Sequence, residues 1–241
     1  GLGDYSRTNG YPKGDITANW EILKLTEERG KELSIDRMDN EEMANVFGII
    51  TGQFMRDWVV PEVDAFRFAK YASASDISKA TGAVLTKDTI LAAIDEAVRQ
   101  MNADEVPLQG RILYINSDLQ PLLNHAVARS WGSQSAISTM LTNYNGIPIK
   151  YVPPTRFYSE IELNDGSAAW GYKKAASGKN INFMLIYPEA VLQVVKLALP
   201  KVFTPDENQD KDMWKFQFRI YHDAFVYENK ATGIYLHEST T

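Results

Sequence analysis

The chain has 241 residues, 44% of them hydrophobic, with no cysteine, three histidines and a net charge of −6. A chain of this size can bury a real core as one large or two modest domains, which argues against disorder, and its acidic balance argues against a surface built to neutralise phosphates. Without cysteine there is neither a disulfide framework nor a thiolate metal site, which fits cytosolic synthesis, and no apolar run approaches about 18 residues, so neither a signal peptide nor a membrane span is predicted.

The opening stretch, GLGDYSRTNGYPKGD, carries Gly at 1, 3, 10 and 14 with Asp4, Asn9 and Pro12 among them. That is turn chemistry, yet Tyr5, Arg7 and Tyr11 are more than a flexible linker requires. From Ile16 to Asp36 an alternation interrupted at Glu28-Arg29-Gly30 and resumed by Leu33 and Ile35 predicts two strands joined at a tight turn near Gly30. Neither strand has a strongly apolar face, so this hairpin depends on neighbours for stability. Asp39 or Asn40 then caps a helix with Glu41 and Glu42 in its first turn. Its stripe is Met43, Phe47, Ile50, Phe54 and Trp58, and the pattern continues to about Tyr71, roughly 30 residues or about 45 Å. Pro61 lacks an N–H and crowds the carbonyl of Asp57, which predicts a kink near Trp58.

A second helix is predicted over TKDTILAAIDEAVRQMNA, with Thr86 as N-cap and Ile90, Leu91, Ile94, Val98 and Met101 as its apolar face. A short buried strand from Arg111 to Asn116 leads to another helix, where Ser117 and Gln120 have the spacing of a capping box and Pro121 lies in the first turn. This helix, strand, helix succession implies a layered α/β region. Loops and short strands are predicted from Gly146 to Gly178. The run INFMLIYPEAVLQVVKLA predicts a buried strand from Ile181 and a helix starting near Pro188. In WKFQFRIYHDAFVY, Trp214, Phe216, Phe218 and Ile220 alternate with polar residues, the clearest strand in the chain. Residues 228–233 turn it, and Ile234 to His237 return as its partner. There is no internal repeat.

Catalytic motifs are absent from the sequence: no Gly-rich phosphate loop, no G-x-S-x-G and no H-E-x-x-H. The pair His222-Asp223 cannot form an acid-base relay on a strand, since neighbours point to opposite faces, and His222 is assigned a structural role. The run DENQDKD, Asp206 to Asp212, begins like a calcium loop, but Lys211 stands where Gly is needed and Gln217 where the closing Glu belongs. A solvated acidic loop is the better reading, with an adventitious divalent ion at an assembly contact as the alternative. Glu62 and Asp64, with Arg56, Arg67 and Lys70, read as an ion-paired or solvated helix face. No catalytic, cofactor-binding or metal-ligating residue is assigned. A weakly cored hairpin, a long helix beside a long ribbon and a Gly-rich aromatic tip instead describe an extended molecule, whose apolar residues need other subunits to cover them.

The segments GLGDYSR, ERGKELSIDRMDNEE, VVPEVDAFRFAKYA, EVPLQGRILYIN, YVPPTRF and PKVFTPDENQDKDMWKFQFRIYHDAFVYENKATGIYLH, in this order, resemble the major capsid proteins of tailed bacteriophages with the Hong Kong 97 fold over nearly the whole chain. The resemblance implies an α+β fold with a long spine helix, a peripheral-domain β-sheet, a mixed α/β axial domain and an extended E-loop. It implies four parts: 1–37 as the tip and descending half of the E-loop, 38–79 as peripheral domain with the spine helix, 80–200 as axial domain, and 201–241 as peripheral-domain strands and C-terminus. Tyr5, Arg7, Tyr11 and Lys13 then become inter-subunit contacts at the loop tip, and Phe47, Phe54, Trp58 and Pro61 mark the spine helix. Some relatives crosslink an E-loop lysine to an asparagine of another subunit; Lys13 is the conceivable donor here, with no acidic catalyst assigned.

Relatives also carry an N-terminal arm and an ascending strand ahead of the GLGDYSR-like segment, with which this sequence begins, so cleavage, lack of order or omission of those residues are the alternatives. The implied role is structural: copies arranged as hexamers and pentamers close into an icosahedral virion shell around double-stranded DNA that is enclosed without sequence-specific binding, in the host bacterial cytoplasm, with scaffolding or portal proteins as partners and no membrane. An encapsulin-like nanocompartment shell is the alternative within the same fold, and a hydrolase built on residues 87–200 the alternative from another class.

Overall fold

A computed structural model describes residues 2–14, 22–42, 46–80, 82, 84–131 and 141–240. The aromatic alternation of the C-terminal ribbon organises one half of it. Strand β10 (Met213–Val226) lies at the centre of a three-stranded antiparallel sheet, flanked by β1 (Glu27–Asp36) and β9 (Val191–Phe203). The register sets Leu33 against Phe216 and Ile35 against Trp214. One face thereby gathers Leu33, Ile35, Trp214, Phe216, Phe218 and Ile220 into an apolar surface.

Two sequence expectations fail here. No turn forms at Gly30, and Glu27 to Asp36 is one continuous strand. Gly30 is needed because the β10 backbone comes close: a Cβ at this position would stand 3.1 Å from the carbonyl oxygen of Phe218. Of the expected first strand, residues 16–21 lie outside the described residues, and 22–26 are not in a strand. The helix expected after Pro188 is a single 3₁₀ turn, Pro188–Ala190, and VLQVVKLALPKVF is strand β9. β-Branched Val191, Val194 and Val195 suit a pleated surface, pairing with β10 runs from Val191 to Phe203, and the edge position tolerates Pro200, which would break a helix.

The helical stretch also differs in detail. α1 (Arg37–Glu42) starts with the Asp36 carboxylate accepting from the Met38 N–H at 2.9 Å, so Asp36 supplies the cap. The expected cap residue Asn40 is buried and serves the next helix, its Oδ1 accepting from the N–H of Phe47 at 3.1 Å. Met43 lies outside the described residues. The long helix then runs as α2 (Phe47–Phe54), a π-helical turn over Met55–Val59, and α3 (Val60–Ser73). Pro61 is thus accommodated by a π segment at the position where the sequence predicts a kink: the N–H of Val60 reaches back to Met55. The wider turn rotates everything beyond it, and the residues packed on the sheet are Phe47, Phe54, Met55, Val59 and Val63. Trp58, expected in the buried stripe, is 64% exposed, and Ile50 is also exposed.

The second sheet is six-stranded, in the order β2 (Ser78–Ala80), β11 (Ile234–Glu238), β8 (Ile181–Ile186), β3 (Ile112–Asn116), β5 (Ile147–Val152), β4 (Asn143–Tyr144). β8 is buried along its whole length, as a strand covered on both faces must be. Leu113, Ile115, Phe183 and Leu185 face α4 (Ile90–Ala103) and α5 (Gln120–Trp131). Met184, Ile186, Ile234 and Leu236 face the other way and pack with Phe66, Tyr71 and Ala72 of α3. The long helix therefore covers the small sheet with its first half and the large sheet with its second.

The expected return of β11 along β10 does not occur; β11 crosses instead to the large sheet, between β2 and β8. The helix expected from Thr86 begins only at Ile90, so Thr89 and not Thr86 is its N-cap residue, after a turn in which the Thr86 carbonyl accepts from the N–H groups of Thr89 and Ile90; Ile90, Ile94, Ala97 and Met101 are its buried face, with Leu91 and Val98 packed at its margin. The capping box at Ser117 does not form: a 3₁₀ turn, Ser117–Leu119, precedes α5, and the Asn116 side chain accepts from the N–H of Asp118 at 3.0 Å. No helix among the described residues is long and apolar enough to cross a membrane.

Candidate assembly surface

The tip is a small self-bonded turn. Ser6 and Gly10 form an antiparallel bridge with N···O distances of 2.8 and 3.2 Å, and the Ser6 hydroxyl accepts from the N–H groups of Thr8 and Asn9. Gly10 supplies the positive φ, +78°, that closes the turn. This places Tyr5 and Tyr11 side by side, ring centroids 4.9 Å apart, with Tyr11 82% exposed. Arg7 and Lys13 are exposed on the same segment. Of the four predicted contact residues the structure brings Tyr5 and Tyr11 together, and Arg7 and Lys13 share only the exposed segment.

At the root of this segment Arg29, on β1, joins three elements. Its Nε donates to Glu62 of α3 at 2.7 Å, and its Nη1 donates to the carbonyl of Asn164 at 2.7 Å. Asn164 belongs to the loop joining β6 (Ile161–Leu163) to β7 (Tyr172–Lys174). Near the end of that loop Trp170 lies under the ammonium of Lys31, 3.1 Å from the ring centroid. An apolar groove of about 280 Å³ opens between these parts, with Phe54, Trp58 and Val63 on one wall, Leu33 and Phe218 on its floor and Trp170 at the far rim. Two exposed tryptophans beside one groove are the arrangement that an incoming aromatic or aliphatic group can fill.

β9 is the second unpartnered feature. It is an edge of the small sheet, and Val195, Leu199 and Val202 are exposed along it. Pro200, Lys196 and Lys201 blunt the edge against open-ended strand pairing, and Lys196 is left unopposed at the bulge between Tyr221 and His222. Sequence reasoning missed Arg29, Trp170 and this edge. The available signal was VLQVVKLALPKVF itself, whose apolar residues fit neither a single helix face nor a single strand face.

The chemical candidates fall into structural roles. Asp223 is buried and accepts from the N–H and hydroxyl of Thr26, with Lys70 at 3.6 Å. His222 is buried edge-on against Phe66, ring centroids 5.2 Å apart, and burial with the nearby Arg67 guanidinium holds its pKa below the ordinary value. Glu62 pairs with Arg29 and Asp64 with Arg156. In the acidic loop Asp206 and Asp212 both engage Arg37, at 2.7 and 3.3 Å, and Asp210 engages Lys215 at 2.7 Å, so its carboxylates tie the β9–β10 connection to α1.

No family model matches the chain, and no curated protein matches it. Solved structures do. A protein of Mycobacterium phage Che8 superposes with a TM-score of 0.64 at 16% identity, covering 88% of this chain and 70% of its own. The capsid structure of cyanophage P-SCSP1u gives 0.64 at 16% identity, over 99% of this chain and 81% of its own. The holo-SrpI encapsulin complex of Synechococcus elongatus PCC 7942 gives 0.53 at 9% identity, over 88% and 73%. The chain, with its long helix bridging a small antiparallel sheet and a larger mixed sheet, has the Hong Kong 97-type capsid fold, matched over 88–99% of its length by these solved structures.

Proposed function

We propose that this chain is the major capsid protein of a tailed phage, a structural and non-catalytic subunit that self-assembles into an icosahedral shell. The observation that carries the reading is the likeness, over 99% of the chain, to the subunit of a phage capsid. Its physical support lies in surfaces that a lone subunit leaves wet: the Tyr5–Tyr11 pair, the Trp58–Trp170 groove and the β9 edge. Residues 1–37 act as the E-loop, 38–79 and 201–241 as the peripheral domain and 80–200 as the axial domain, except that β9 leaves the axial range to complete the peripheral sheet and β2 and β11 join the sheet of the axial domain. Hexamers and pentamers form the shell, scaffolding or portal proteins guide its closure in the host cytoplasm, and an acidic chain encloses DNA without gripping it. Lys13, exposed on the same segment as the tyrosines, contacts the neighbouring subunit.

Deleting Gly3 to Lys13 tests this. The truncated chain should keep its fold by circular dichroism and fail to form closed shells by electron microscopy and sedimentation; normal shells from the deletion would refute the role of the tip. The encapsulin reading rests on the likeness to the holo-SrpI complex. Shell contents separate the two, since packaged DNA supports a capsid and an enclosed protein cargo supports a compartment.

A further inference from the structure

β1 is entered through residues 22–26, which belong to no strand. The β1–β10 register ends at Glu27 and His222, and from there side chains of β10 take over from the backbone ladder. Oδ2 of Asp223 accepts from both the N–H and the hydroxyl of Thr26, at 3.0 and 2.9 Å, and the Tyr221 hydroxyl donates to the Leu25 carbonyl at 2.9 Å. Oδ1 of Asp223 accepts from the N–H of Ala224 at 2.7 Å and lies 3.6 Å from the Lys70 ammonium of α3. Asp223 is only 1% exposed. A carboxylate at this depth on a central strand carries a desolvation cost that an apolar residue would avoid. What it gains is a hold on the last residue before the sheet, through hydrogen bonds strengthened by its charge. Thr26 itself is exposed, so this hold can open to water while the core stays closed.

We propose that Asp223 and Tyr221 are positioning residues for assembly: they fix, before any neighbour is met, the direction in which the N-terminal segment joins the body. The proposal rests on residues 1–37 acting as the E-loop and adds the device that orients them. A segment free to swing would have to be ordered on meeting another subunit, and that lost freedom opposes association. A segment already held has given it up on folding. Lys70 through Asp223, and Glu62 through Arg29, tie the same stretch to α3, so its direction follows the long helix and not the sheet alone.

Trypsin reads this hold, because Lys24 is exposed and its peptide bond runs to Leu25. The full chain is digested below the concentration at which it forms shells, and the cuts are assigned by mass. Cleavage needs the residues around the bond to open, and each lost hydrogen bond raises the open population about fivefold. Thr26→Val combined with Tyr221→Phe should therefore speed cleavage after Lys24 by about fivefold or more. Cleavage after Lys13, exposed at the tip, and after Arg111, whose buried side chain is reached only when the body unfolds, should stay within about twofold. Thr26→Ser, which keeps the hydroxyl, should match the parent. By light scattering at equal concentration the double variant should assemble several-fold more slowly and Thr26→Ser at the parent rate. Unchanged cleavage after Lys24, a rise matched at Arg111, or an unchanged assembly rate would each overturn the proposal, the second leaving Asp223 and Tyr221 as supports of the fold alone. A parent chain that forms no shells counts against the shell reading, and the digestion then decides whether the hold exists. Should the double variant fail to fold, Thr26→Val, at an exposed position, carries both measurements.

Discussion

Arg29 holds the root of the exposed tip, and its loss can be sized from the geometry. Arg29→Met keeps length and apolar contact but removes the guanidinium that Glu62 and two carbonyls share, at 2.7, 2.7 and 3.4 Å. The side chains of the pair are only 23% and 18% exposed, so the Glu62 carboxylate would be stranded in poorly solvated surroundings. Breaking a fully buried pair costs about 3–5 kcal/mol. Partial solvent access lowers this, and the 3.4 Å contact is too long to add much, which leaves about 2–3 kcal/mol. For a chain of this length each kcal/mol moves the midpoint by about 2–4 °C, so a drop of about 4–12 °C is expected in thermal unfolding of matched assembly states. The double variant Arg29→Met/Glu62→Leu removes the stranded charge and should recover more than half of the loss. A single variant within about 0.5 kcal/mol of the parent, or a double variant no better than the single, would refute the claim that this joint is an electrostatic clamp.

The π turn makes a second prediction, because it separates residues that the sequence groups as one stripe. Phe47→Ala, at a buried position facing Trp214, should cost about 3–4 kcal/mol in urea unfolding, whereas Trp58→Ala should stay within about 0.5 kcal/mol and reduce shell yield instead; comparable destabilisation by both would return Trp58 to the core. Acid should destabilise the subunit through its histidines. The folded-state pKa of His222 and that of His237 are both lowered, chiefly by burial, from an ordinary value of 6.5. Between 6.5 and those lower values the unfolded chain binds protons that the folded chain does not, so their contribution is complete above pH 6.5 and is lost as pH falls. Each histidine contributes at most about 1.4 kcal/mol per pH unit. His222→Gln should therefore flatten the dependence of unfolding free energy on pH below 6.5 by up to one proton, and an unchanged slope would show that this imidazole protonates freely in the fold.

Which features are legible in the sequence follows from which interactions are local. The alternation of Trp214, Phe216, Phe218 and Ile220, the continuously apolar run Ile181 to Ile186 and the stripe of the 90–103 helix are local signals, and these elements appear where the sequence places them apart from the helix start, whose cap lies at Thr89 and not at Thr86. The turn of the opening segment is equally readable, since the Ser6 hydroxyl and the positive φ of Gly10 make it within a few residues.

The rest requires partners distant in sequence. Gly30 resembles a turn residue until the backbone of β10 comes within reach of where its Cβ would be. The segment 191–203 fits no single helix face or strand face, and becomes a strand because β10 supplies a ladder of hydrogen bonds along its length. Ile234 to Glu238 has a nearby candidate in β10, yet the large sheet offers an open place between β2 and β8 where every side chain is buried. The face of the long helix is changed by one turn of π geometry around Pro61, which moves Trp58 from the core to the rim of a groove. Local chemistry thus determined the kinds of element and the exposed aromatic tip. Pairing, register and the rotation of the helix were decided by the tertiary fold, because only there do residues tens to hundreds of positions apart compete for the same buried surface.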